Sequence, residues 1–138
     1  LTFGAGYDYF ERDDGYDALC AAYKMEFGKI VEMDSALKYT ALNEKEVDVT
    51  TVYTTDAQIT VADGVVLEDD LNFFEDYFCG TVVRAEVLEK NPGLENVLLM
   101  MEGLISDEEM VEMNYAVEVD KRDEAEVAEE FLRKKGIK

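Results

Sequence analysis

Over residues 1–67 the chain alternates short apolar, β-branched runs with helix-patterned stretches, and this alternation constrains the fold more than any other feature. Residues 1–5, 29–33, the run beginning at Val47, and 65–67 read as strands. Val47, Val49 and Val52, with threonines among them, favour a pleated, buried surface because branching at Cβ stiffens χ1. Between the strands, 16–23 sets Ala18, Leu19, Ala22 and Tyr23 on one helical face. Asp34 and Ser35 cap a helix that runs to about Asn43, with Ala36, Leu37, Thr40 and Ala41 on one side. Asp63-Gly64 is a turn before Val65. Strands separated by helices pair in parallel, so the expected class is α/β, a mostly parallel sheet flanked by helices. Residues 77–83 read as one more strand, and after Arg84 the pattern is nearly all helical. Asn91-Pro92-Gly93 breaks two helices, and Ser106-Asp107-Glu108-Glu109 spells a capping box. Residues 123–135 form a last helix, acidic at its start and basic at its end, as the helix dipole favours.

Composition narrows the function classes. With 138 residues, 48% of them hydrophobic, the chain has the material for one domain with a real core. Its 33 acidic and 13 basic residues give a net charge of −20, which repels nucleic acid and anionic membrane and sets both aside as partners. No apolar run approaches the ~20 residues of a membrane helix. The absence of histidine removes Ser-His-Asp and Cys-His catalysis and the usual zinc sites, and no cofactor is expected. Cys20 and Cys79 lie far apart in apolar surroundings and are expected as buried free thiols. Met100, Met101, Met110 and Met113, at near-helical spacing, are expected as core filler. Leu1-Thr2-Phe3-Gly4 reads as a strand rather than a secretory leader. Without a starting Met, the chain is expected to be a mature or trimmed piece of something longer.

Two positions stand at strand ends. The Val47 run stops at Tyr53, and Thr54, Thr55 and Asp56 follow, three side chains suited to capping a short helix. Tyr53 is thereby delivered beyond a strand end, where open α/β sheets bind ligands; the competing expectation is a half-buried core tyrosine. Arg12, one of four arginines, sits in a turn-rich loop after the first strand, where the competing expectation is a surface ion pair with Asp13 or Asp14.

These residues carry a resemblance. Leu1-Thr2-Phe3-Gly4-Ala5 with Phe10-Glu11-Arg12-Asp13-Asp14-Gly15, then Met33-Asp34-Ser35-Ala36-Leu37-Lys38-Tyr39, stand in order along the chain. They are followed by Val47-Asp48-Val49 with Tyr53-Thr54-Thr55-Asp56, and by Val65-Val66-Leu67-Glu68-Asp69-Asp70 with Phe73-Phe74 and Tyr77. Ile105 to Met110 and Asn114-Tyr115 complete the set. The chain resembles the substrate-binding protein of ABC importers for glycine betaine, choline, carnitine and related quaternary-ammonium osmolytes. Where that family usually has Pro-Pro before its last binding tyrosine, this chain has Glu75-Asp76; a Tyr-Asp before Val65 is replaced by Asp63-Gly64.

The resemblance implies a type II periplasmic-binding-protein-like lobe, with 1–70 as the second-lobe α/β region and 71–138 as the return segment into a first lobe whose N-terminal part is absent. It implies capture of an osmolyte (glycine betaine, choline, carnitine or proline betaine) without chemistry, for delivery to ABC permease subunits, in an extracytoplasmic setting. Tyr53 and Tyr77 match the aromatic cage, whose ring faces hold a cation that offers no N–H donor. Arg12 would clamp a carboxylate through its planar fork. The isolated fragment is expected to form a homodimer. Alternative readings are a stand-alone acidic interaction or regulatory domain without ligand binding, and a carboxylate-dependent enzyme.

Overall fold

β1 (Thr2–Gly6) is the middle strand of a parallel sheet ordered β2-β1-β3, with β2 at Lys29–Met33 and β3 at Val49–Thr50. In this computed structural model residues 1–75 and 77–137 are described. Successive side chains of a strand point to opposite faces, and β1 uses both. Phe3 and Ala5 face a core shared with Leu19, and Phe3 is only 1% exposed. The Phe3 ring lies 5.0 Å from those of Tyr16 and Phe27 and 6.1 Å from that of Phe10, within the range of favourable aromatic pairing. The helices that cover this face are α1 (Tyr7–Glu11) and α2 (Tyr16–Tyr23). On the opposite face Met33 and Val47 pack with Ala41 of α3 (Lys38–Asn43). Gly4 is required there, because a Cβ would fall 2.5 Å from Val47 Cγ1 and 2.7 Å from Met33 Cε. The expected α/β class, a parallel sheet flanked by helices, is therefore what forms.

The chain divides into two compact units, Leu1–Glu75 and Asp76–Lys138. The second holds α4 (Ala85–Lys90), α5 (Leu94–Leu99), α6 (Asp107–Glu118) and α7 (Glu124–Lys134). Ser106 accepts from the Glu109 N–H, and Glu109 accepts from the Ser106 N–H, which completes the expected capping box of α6. Asp123 caps α7 by accepting from the Ala125 and Glu126 amides. Lys135 Nζ joins the two helices through an ion pair with Glu109 at 2.8 Å.

Several expectations are corrected. The Val47 strand shrinks to Val49–Thr50. Residues 65–67 and 77–83 form no strand among the described residues, because strand composition is realised only where a neighbouring strand accepts the ladder. Val65, Val66 and Leu67 are exposed, and Val82 is 99% exposed. Met100 and Met101 are exposed rather than core filler, while Met110 and Met113 are half-buried. Cys79 is exposed and Cys20 half-buried, both as free thiols. On α3 and the turn before it, Leu37 points outward and Lys38, Tyr39 and Ala41 are buried.

One further tie concerns the segment before the second unit. Asp69 accepts from the Tyr23 hydroxyl, from the Phe73 N–H at 2.9 Å and from the Phe74 N–H at 2.8 Å. These donors, the Tyr23 hydroxyl foremost, hold the Asp69 carboxyl below the usual range.

Candidate ligand-binding site

Parallel strands bring their C-terminal ends to one edge, so the loops after β1, β2 and β3 share it. The first two begin close together: Gly6 lies against Ser35, whose Oγ a Cβ at position 6 would overlap. The first loop carries α1 and then Arg12. The Arg12 guanidinium forks onto Asp14, Nε to Oδ1 at 2.7 Å and Nη2 to Oδ2 at 2.5 Å, and this pairing holds the Asp14 carboxyl low. The ion pair expected as the competing role of Arg12 is thus present. The third loop carries Tyr53, which is 55% exposed and so is not a core tyrosine.

The turn holding Tyr53 is built on Asp56. The Asp56 N–H donates to the Tyr53 carbonyl at 3.0 Å, and the Tyr53 N–H donates to Asp56 Oδ2 at 3.2 Å. The same oxygen accepts from Lys38 Nζ at 2.6 Å and from the Tyr39 hydroxyl at 2.9 Å. Burial alone would push the Asp56 carboxyl up, but the Lys38 ammonium, the Tyr53 N–H and the Tyr39 hydroxyl outweigh it and hold it low. Lys38 Nζ also lies 5.1 Å from the Tyr39 ring centroid and 5.5 Å from that of Tyr53, both within cation–π range.

Arg12 and Tyr53 therefore belong to segments that leave the same sheet edge of the first unit. Tyr77, 58% exposed, belongs to the second unit and precedes α4 in an irregular stretch. Asp76, half of the Glu75-Asp76 departure before it, lies outside the described residues. Among the described residues no group of three or more His, Cys, Asp or Glu converges as a metal site. No helix among them is long and apolar enough to cross a membrane. Sequence reasoning missed Lys38 and Tyr39. The one available sign was a lysine beside a tyrosine in a capped helical segment, followed by an aspartate at the end of the Tyr-Thr-Thr-Asp turn.

Comparison with known proteins shows what the chain is similar to. Residues 1–134 match the model of OpuAC, the substrate binding domain of ABC-type glycine betaine transport systems. The chain is 40% identical over 137 residues to the ergothioneine transport permease/ergothioneine binding protein EgtU of Helicobacter pylori (strain G27), covering 99% of this chain and 25% of that protein. It is 38% identical over 135 residues to the carnitine transport binding protein OpuCC of Listeria monocytogenes serotype 1/2a (strain 10403S), covering 97% of this chain and 44% of that one. The crystal structure of a glycine betaine/carnitine/choline ABC transporter superposes with a TM-score of 0.79 at 36% identity, over 99% of this chain and 50% of that one. The chain thus spans less than half the length of these two relatives and half that of the solved one.

Proposed function

Since the chain belongs to the family of substrate-binding domains of ABC-type glycine betaine transport systems, we propose that it contributes one lobe of a solute-binding protein that captures a small quaternary-ammonium osmolyte. The family is one of binding domains, not enzymes. In this reading residues 1–70 are the second lobe and 71–138 return toward a first lobe, and the two lobes close on the ligand by hinge motion. Tyr53 and Tyr77 offer ring faces to the trimethylammonium group, and Arg12 receives a carboxylate. The loaded protein hands its solute to permease subunits outside the cytoplasm. The observation that carries the proposal is the match over residues 1–134, and the exposure of Tyr53 after a parallel strand supports it.

The test is isothermal titration of the two-lobed protein that contains this chain against glycine betaine, choline, carnitine, proline betaine and ergothioneine. Saturable binding of at least one, with no turnover, is the expected outcome. Heats indistinguishable from dilution for the whole panel would remove the proposal.

A further inference from the structure

The Lys38 side chain is 11% exposed and stands against Asp56, itself only 24% exposed, so this ion pair is shielded from solvent. Its ammonium shares its position between the Asp56 carboxylate at 2.6 Å and the Tyr53 ring at 5.5 Å. A fixed cation is thus already in place beside the ring assigned to the ligand's ammonium, and Asp56 cancels its charge. We propose that the Lys38–Asp56 pair sets the net-charge preference of the site, an inference that rests on Tyr53 being a ligand contact. With the pair intact its own field at the ring is close to neutral, so the pair itself does not discriminate a cation such as choline from a zwitterion such as glycine betaine. Removing one member leaves a unit charge next to the cage. A cation feels that charge in full, whereas in a zwitterion the carboxylate end offsets the ammonium end. A unit charge roughly 10 Å from the bound ammonium, at an effective dielectric of about 20, changes cation binding by roughly 3- to 15-fold, the lower figure with full salt screening.

The experiment measures the ratio of choline to glycine betaine affinity in the two-lobed protein that contains this chain. Asp56→Asn leaves Lys38 uncompensated and should move the ratio roughly 3- to 15-fold toward betaine, whereas Lys38→Met leaves Asp56 uncompensated and should move it by a similar factor toward choline. The double variant restores neutrality and should return the ratio to that of the parent. Single variants that change both affinities by the same factor would overturn the proposal, since that is what a purely structural pair would do. If Asp56→Asn does not fold by circular dichroism, Lys38→Met decides alone: a ratio moved toward choline supports the assignment, and an unmoved or reversed ratio ends it. Tyr53→Leu separates the two levels of the argument. Unchanged affinities for both ligands in that variant would refute Tyr53 as a contact, whatever the ratios show.

Discussion

Arg12 already has a carboxylate in its fork, so a ligand carboxylate must compete with Asp14 for the guanidinium. Both side chains are exposed, and an exposed pair of this kind is worth little, so the exchange is feasible. Arg12→Ala should weaken glycine betaine by about 10- to 150-fold, the roughly 1.5–3 kcal/mol of a charge-assisted hydrogen bond. Choline, with a hydroxyl in place of the carboxylate, should be nearly unaffected; equal losses in titrations of the two ligands would assign Arg12 a structural role. The tyrosines answer to a different substitution. At Tyr53 and at Tyr77, Leu should cost more affinity than Phe, because Phe keeps the ring face that attracts the cation. A trimethylammonium ligand that bound Leu and Phe variants equally would exclude the position in question from the cage.

Helix caps make the element scale testable in the second unit. Ser106→Ala removes one half of the α6 capping box and should cost about 1 kcal/mol, read as a lower urea midpoint with unchanged slope. That box was legible in the sequence, as was the Asp34 cap, because each depends on residues within a turn of one another. What was illegible depended on distant partners. Residues 65–67 have strand composition without a strand to pair with, and 77–83 likewise. Lys38 is buried because Asp56, eighteen positions on, receives it, and no local pattern announces that pairing. Arg12 and Tyr53 could be picked out from strand-end loops. The separation of Tyr77 from them was read from the resemblance, which divides the chain at 70/71, and not from any local pattern.

At the scale of the whole chain, exposed apolar groups and net charge oppose each other. Val82, Val97, Leu99 and Met100 are exposed in the second unit, and such surface favours association. The 138-residue chain should therefore self-associate, most simply as a two-fold dimer. Each copy carries a charge of −20, so mutual repulsion must be screened, and the dimer should tighten as salt is raised from about 0.05 to about 0.5 M, over which the Debye length falls roughly threefold. Sedimentation equilibrium checks this, and a monomer at high concentration in both buffers would contradict it. The Asp69 tie has a consequence of another kind. Val65, Val66, Leu67 and Leu71 near it are exposed, yet the amides of Phe73 and Phe74 are engaged by one carboxylate that the Tyr23 hydroxyl also holds. In deuterated solvent these two amides, with those of Leu71 on the Tyr23 hydroxyl and Asn72 on the Asp69 carbonyl, should keep their protons longer than the amides of Val65, Val66 and Leu67. Tyr23→Phe should shorten that memory, leaving the protection of β1 as it was, so a single hydroxyl on α2 times the opening of a segment some fifty residues away.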